Sequence, residues 1–252
     1  GGDDVLIDTN DTDASRAGND TMRGGTGNDR FDTRPDLILN QRMFGDAGND
    51  VFEFGAGRDE ADGGKGDDVF RWAPILPRFS FENGVMDFDV DAIDGGSGTD
   101  SLQPFFRDTD AVDIIFEEIE KGLFAVAANG QRLFTYTRIE EVRLNLSDGH
   151  NLQGSVGGRG DDFLLLAEGT HSITSGKGDD IVYTVLDDTR DVIDTGSGDD
   201  YLRIVVDSTK GALSADLAQS RFEQTGEDQL SFVNVETIEL EISGDADDVI
   251  LG

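Results

Sequence analysis

Cysteine is absent from this 252-residue chain, so neither a disulfide nor a thiolate metal site holds it together. Histidine occurs only at His150 and His171, and tryptophan only at Trp72. Neither Gly-x-Ser-x-Gly nor His-Glu-x-x-His occurs, which removes two common hydrolase signatures. Carboxylate pairs of glycosidase type are inevitable among 54 acids and carry no information, so the chain reads as a non-enzyme. No apolar run approaches the roughly 18 residues of a membrane-spanning helix. Basic residues are scarce: 20 Lys and Arg stand against 54 Asp and Glu, a net charge of -34. That balance argues against nucleic acid and anionic membranes as partners. The start carries no signal peptide and no initiator Met, and both Gly1 and Gly252 fall inside a repeat. This reads as a segment of a longer protein.

What is abundant is glycine, 33 residues, and aspartate, in a fixed pattern. Ten stretches fit the nonapeptide Gly-Gly-x-Gly-x-Asp-x-apolar-x. The clearest run from Gly24 to Asp32 and from Gly63 to Arg71, followed by Gly95 to Gln103 and Gly157 to Leu165. Looser copies start at Ser15, Gly45, Phe54, Ser175, Thr195 and Ser243, and Gly1 to Ile7 reads as the tail of another. A fixed period of this kind defines a repeat architecture. High acidity and glycine content also suit a disordered chain. The 36% apolar fraction and 16 regularly recurring Phe instead predict order that depends on neutralising the carboxylates.

Each part of the nonapeptide has a physical reading. Glycines at positions one, two and four provide positive φ for a tight turn and let carbonyl oxygens converge without Cβ crowding. Position six adds a carboxylate: Asp4, Asp20, Asp29, Asp50, Asp59, Asp68, Asp100, Asp162, Asp180, Asp200 and Asp248. Positions seven to nine predict a short strand whose position-eight side chain points inward: Phe31, Phe52, Phe70, Leu102, Leu164, Val182, Leu202 and Ile250. Two nonapeptides make one coil, so turns on the same side, such as Asp50 and Asp68 or Asp162 and Asp180, lie about one strand spacing (~4.8 Å) apart. Six or more oxygen donors at such a point suit Ca²⁺ rather than Mg²⁺ or Zn²⁺. At position five, Asp67, Asp161, Asp179 and Asp199 read as solvent-facing charge that attracts cations.

These residues resemble the RTX family, the hemolysin-type calcium-binding repeats. The resemblance covers roughly 100 residues scattered along the whole chain. It implies an all-β fold, a right-handed parallel β-roll or β-helix of nonapeptides with Ca²⁺ in rows along its turns. It also implies export through a type I secretion channel of a Gram-negative bacterium. The chain departs from the pattern at His171 and Gln153, which stand at position six, and at Asp91 and Asp191, whose turns lack the glycines. Those turns are expected to bind an ion weakly or not at all.

Between repeat blocks lie excursions at 33–44, 72–85, 104–147 and 204–242. Asn129-Gly130 between two apolar runs is a hairpin signal. The segments Thr137 to Leu146 and Val233 to Ile242 align as alternating strands that close the two long excursions. The chain therefore divides into a first repeat unit, 1–147 (roll 1–103, excursion 104–147), and a second, 148–252 (roll 148–203, excursion 204–242, new roll from 243). Ala212 to Gln219 is a candidate short helix. Arg30, Arg34 and Arg42 read as a salt-bridged rim, and Trp72 to Phe81 as an aromatic loop that caps the roll or meets a partner. The sequons at Asn10, Asn19 and Asn145 read as coincidental. Three functions remain open: a calcium-dependent folding scaffold of a secreted or cell-surface protein, an adhesin-type module binding glycan, surface or another copy, and a non-catalytic part of a secreted hydrolase or polysaccharide-modifying enzyme.

Overall fold

The computed structural model describes residues 1–7, 20–33, 40–55, 57–72, 90–106, 112–207, 213–224, 227–243 and 249–251. Among these the chain is all-β, with 24 strands and one 3-10 turn, Leu217–Gln219. The strands are β1 (Val5–Ile7), β2 (Thr21–Thr26), β3 (Arg30–Asp32), β4 (Arg42–Ala47), β5 (Val51–Phe54), β6 (Glu60–Lys65), β7 (Val69–Trp72) and β8 (Asp91–Ser97). Next come β9 (Ser101–Pro104), β10 (Asp113–Glu120), β11 (Leu123–Ala128), β12 (Gln131–Thr137), β13 (Glu141–Asn145), β14 (Asn151–Ser155), β15 (Phe163–Leu165) and β16 (His171–Thr174). The last eight are β17 (Ile181–Leu186), β18 (Asp191–Asp194), β19 (Tyr201–Asp207), β20 (Leu213–Asp216), β21 (Arg221–Gln224), β22 (Glu227–Val233), β23 (Thr237–Ser243) and β24 (Val249–Leu251). Among the described residues no helix is long and apolar enough to cross a membrane.

Two compact units emerge, Gly1–Phe105 with Glu118–Glu140, and Phe106–Glu117 with Glu141–Gly252. This division differs from the expected break after residue 147. The closing strand of the first excursion, β13, pairs in parallel with β15 (Leu144↔Leu164) and so belongs to the second unit.

In the first unit, successive strands alternate between two parallel arrays, β1-β3-β5-β7-β9 and β2-β4-β6-β8. Glycine-rich turns permit reversal, but only the first array keeps the three- or four-residue strands that the nonapeptide predicts; β2, β4, β6 and β8 run six or seven residues and take in positions one to three of the following nonapeptide, such as Gly24 to Thr26. The second array continues into the first excursion, because β12 pairs in parallel with β8 (Tyr136↔Ile93) and antiparallel with β11. Asn129 and Gly130 connect β11 to β12 with φ of 50° and 77°, the positive pair that the Asn-Gly dipeptide favours. Phe134 and Tyr136 are buried, so this hairpin is an integral part of the sheet.

The second unit repeats the scheme with β13-β15-β17-β19-β23 and β10-β14-β16-β18-β22. Its excursion is an antiparallel meander of β20, β21 and β22. Where a helix is expected to end at Gln219, the chain forms β20 followed by one 3-10 turn. Asp216 caps that turn by accepting the Gln219 N–H at 3.1 Å, and Ser220 ends it at φ 53°. Asp and Ser compete locally for backbone hydrogen bonds and favour such turns over helix.

Position eight forms the core. Phe31, Phe52 and Phe70 stack with centroids 4.7 and 4.8 Å apart and planes 1° and 7° from parallel, and Leu102 extends the row. That separation equals the strand spacing, so identical residues on adjacent parallel strands must stack face to face. In the second unit Leu144, Leu164, Val182 and Leu202 form the equivalent row, all fully buried. Of the expected arginine rim, Arg30 shares the carboxylate of Glu53 with Arg71, a residue outside that set, and Arg42 pairs with Glu60 at 3.0 Å. Arg34 and the residues beyond Trp72 in the aromatic loop lie outside the described residues.

Replacing Phe52, at the centre of the stack, by Ala is expected to destabilise the fold by about 3–5 kcal/mol. Urea unfolding of the two proteins under identical ionic conditions measures this, and a loss below about 1 kcal/mol would contradict the core assignment.

Candidate cation-binding turns

The glycines divide into two kinds. Positions two and four have positive φ, as at Gly25 (96°) and Gly27 (119°) or Gly64 (97°) and Gly66 (120°). Position one, expected to share that role, is instead a place of close approach. A Cβ on Gly45 would lie 2.1 Å from Asp50 Oδ2 and 2.4 Å from the carbonyl oxygen of Gly63. On Gly63 it would meet Asp68 Oδ2 at 2.2 Å and the Gly95 oxygen at 2.4 Å. On Gly157 it would meet Asp162 Oδ2 at 1.9 Å and the Ser175 oxygen at 1.7 Å. A carboxylate oxygen and a carbonyl oxygen of the next coil thus converge over a bare Cα.

Along one edge of each unit the position-six carboxylates form a hydrogen-bonded ladder. Asp50 Oδ1 accepts the Asp29 N–H at 2.7 Å, Asp68 Oδ1 that of Asp50 at 2.8 Å, and Asp100 Oδ1 that of Asp68 at 2.8 Å. In the second unit Asp180 accepts from Asp162 and Asp200 from Asp180, at 2.9 and 2.8 Å. Sequence separations between rungs are 18, 20, 21 and 32 residues, so coils of unequal length still bring their turns into register. Position five builds a second, exposed ladder of opposite polarity: Asn28 Oδ1 accepts from Asn49 N, and Asn49 Oδ1 from Asp67 N. The acids at that position do the same, Asp67 accepting from Thr99 N, Asp161 from Asp179 N and Asp179 from Asp199 N, so they bond the next turn as well as facing solvent.

One carboxylate oxygen per rung is used in this way. The other, Oδ2 of Asp29, Asp50, Asp68, Asp100, Asp180 and Asp200, is buried without a hydrogen-bond partner. In the second unit the position-one hydroxyls stand close by but are engaged elsewhere. Ser175 donates its one proton to the Thr195 carbonyl at 2.8 Å, and Thr195 donates to that of Asn234. Asp162 Oδ2 has only the Gly158 N–H at 3.3 Å. Buried charged oxygens normally have partners, and a run of orphans points to a missing positive group.

The electrostatics agree. Burial pushes Asp68 up to about 7 and Asp100 up to about 6, with adjacent carboxylates adding to the rise against the opposing pull of the ladder N–H groups. Burial likewise raises Asp162 to about 8, and lifts Asp50, Asp180 and Asp200 above the usual range. For Asp180 and Asp200 the neighbouring Ser175 and Thr195 hydroxyls pull the other way without cancelling the rise. A proton or a cation relieves the same cost. Among the described residues no three Asp, Glu or His side chains form a ready-made cluster. What each turn offers is one free carboxylate oxygen plus backbone carbonyls, a hard-oxygen donor set that fits Ca²⁺ in kind.

The opposite edge differs. There Asp59 Oδ1 accepts from Gln41 N at 2.9 Å and Oδ2 from the Thr33 hydroxyl at 3.0 Å. Asp91 accepts from Asp59 N and from the Trp72 indole N–H at 2.8 Å. Asp191 accepts from His171 N and from the Thr184 hydroxyl at 3.2 Å. His171 is fully buried, and burial lowers its pKa. Leu152, not Gln153, is the residue that pairs with His171, a one-residue shift from the expected register. Asp20, whose N–H donates to Gln41 Oε1 on this edge, and Asp4, whose N–H donates to Asp29 Oδ1 on the first edge, are both exposed, and Asp248 lies outside the described residues.

Two further carboxylates belong to the first edge. Glu140 Oε2 accepts the Asp100 N–H at 3.1 Å, and Glu236 Oε2 accepts that of Asp200 at 2.9 Å, so a glutamate ends each ladder where Asp would otherwise stand. The signal was present in the alignment of the two closing segments, in which Glu140 and Glu236 coincide. Gln41, which continues the opposite edge, carried no such signal. No protein-family model matches the chain, and no curated protein matches it in sequence.

Gly63→Ala places a methyl between two converging oxygens and is expected to cost about 1–3 kcal/mol in a calcium-containing buffer, read from thermal or urea melts. A pH dependence also follows. Because the folded-state pKa values lie above the unfolded value of 3.8, the metal-free protein holds protons more tightly when folded. That stabilisation is complete below the unfolded value and is lost as pH rises through about 6 to 8, the folded values of Asp100, Asp68 and Asp162. A folded fraction in chelator, read by far-UV circular dichroism, that instead climbs with pH over this window would contradict the carboxylate assignment.

Proposed function

We propose that this chain is a calcium-binding segment of RTX type, a right-handed parallel β-roll within a larger secreted bacterial protein, whose folding is driven by Ca²⁺. The observation that carries this reading is the line of buried, unpartnered carboxylate oxygens at Asp29, Asp50, Asp68, Asp100, Asp180 and Asp200, each following a glycine or hydroxyl residue at position one. When bound, Ca²⁺ supplies positive charge and takes up six to eight oxygen donors. Position-six carboxylates neutralise it, position-one glycines leave room for it, and position-five acids raise its local concentration.

The net charge of -34 supports the coupling to export. Where free Ca²⁺ is scarce, mutual repulsion and unpaired buried carboxylates favour an extended chain. Outside the cell, millimolar Ca²⁺ exceeds dissociation constants on the order of 10⁻⁴–10⁻³ M, which are usual for extracellular calcium modules. A site filled at about 100 times its dissociation constant adds about 2.7 kcal/mol, so several together decide whether the chain folds. Reading the excursions as projecting modules for a glycan or a second copy is less well supported, since the first hairpin is bonded into the sheet of its unit.

Far-UV circular dichroism in chelator near neutral pH should report a largely unfolded chain, and millimolar Ca²⁺ should bring up the β signal while equal Mg²⁺ does not. Superimposable spectra in chelator and in Ca²⁺ would refute the proposal.

A further inference from the structure

The two edges of each unit present the same residue, a position-six carboxylate, in two chemical states. On the first edge the second oxygen is buried with no donor at Asp29, Asp50, Asp68 and Asp100, and at Asp180 and Asp200 it has beside it only the Ser175 and Thr195 hydroxyls, whose protons point to carbonyl oxygens. On the opposite edge that oxygen is occupied at each buried position-six carboxylate among the described residues: Thr33 serves Asp59, Trp72 serves Asp91 and Thr184 serves Asp191. Position one differs in parallel. Before the first-edge carboxylates it is Gly24, Gly45, Gly63, Gly95, Ser175 or Thr195, whereas before Asp59, His171 and Asp191 it is Phe54, Leu166 or Leu186, all buried. Where position one is glycine, the carboxylate oxygen and, at Gly45 and Gly63, a carbonyl oxygen of the next coil come up against its bare Cα, a place that any Cβ would contest.

We infer that cations load one edge only, and that the opposite edge is a permanently metal-free seam closed by hydroxyl and indole donors. The inference rests on the calcium reading of the first edge and adds which turns take part. A cation at Asp91 would have to displace the Trp72 N–H from its carboxylate in a buried setting, and one at Asp59 would have to displace the Thr33 hydroxyl, exchanges with little net gain. Asp59, a ligand by its sequence position, is on this ground a structural acceptor. Thr33, Trp72 and Thr184 become the residues that substitute for an ion. Each comes from the strand array across the coil: Trp72 closes β7, Thr33 follows β3 and Thr184 lies within β17.

The test counts Ca²⁺ ions per full-length chain at saturation, by isothermal titration and by native mass spectrometry, in the parent and in Asp68→Asn, Asp59→Asn and Asp191→Asn. Circular dichroism in excess Ca²⁺ establishes that each variant folds. Asp68→Asn should lower the ion count, whereas Asp59→Asn and Asp191→Asn should leave it unchanged. The second unit provides an independent reading through Asp191→Asn should Asp59→Asn fail to fold. A reduced count in either opposite-edge variant, or an unchanged count in Asp68→Asn, overturns the one-edge assignment while calcium binding itself stands. No Ca²⁺ uptake by the parent overturns the calcium reading instead.

Discussion

The rest of the structure hangs on a hydrogen bond from the backbone N–H of one position-six residue to the carboxylate of the next coil, from Asp29 to Asp50 to Asp68 to Asp100. It fixes the stacking of turns and orients each carboxylate. Because a carboxylate has two oxygens, the same bond leaves one of them pointing into a buried space. Alone, such a ladder is unfavourable, since successive anions are stacked about a strand spacing apart inside the protein. Its orientation is nevertheless what gathers oxygens at one point. The contact that stacks the coils is thus also the one that leaves an uncompensated carboxylate oxygen in the turn, the feature on which the calcium proposal rests.

Beneath the turns the stacked apolar rows work without any ion. Three phenylalanines in register and the aliphatic row of the second unit bury their side chains whatever the ionic conditions. The two contributions are complementary. Apolar rows favour a compact state in general, and the ladder, once neutralised, selects this particular register. The opposite ladder polarity at positions five and six means that adjacent residues of one turn bond coils on either side. Each turn is therefore tied both forwards and backwards.

Much of this was legible from residue order. Period, inward position eight, the carboxylate position and the Asn-Gly hairpin all follow from local stereochemistry and needed no tertiary information. Other features were not. That Asp59 and Asp68 differ depends on Thr33, a residue 26 positions away from Asp59, meeting it across the coil. The local trace of that difference is position one, Phe54 against Gly63, where a template that tolerates variation sees only a weaker match. Glu140 and Glu236 escape the template because a longer acid at the end of an excursion does the work of Asp in a shorter turn, preserving the acceptor and not the spacing. The helix expected at 212–219 is absent for the opposite reason: Asp216 and Ser220 carry turn chemistry of their own, which outweighs the local apolar pattern.

Rungs separated by 18, 20, 21 or 32 residues all make the same 2.7 to 2.8 Å, or 2.9 Å, contact. Extra chain is accommodated between rungs without disturbing them, and closing a longer loop adds little entropic cost. Length is consequently a free variable in this architecture while turn chemistry is not. Genetic insertion between the nonapeptide elbows offers a way to decorate the array and leave its hydrogen-bonded spine untouched.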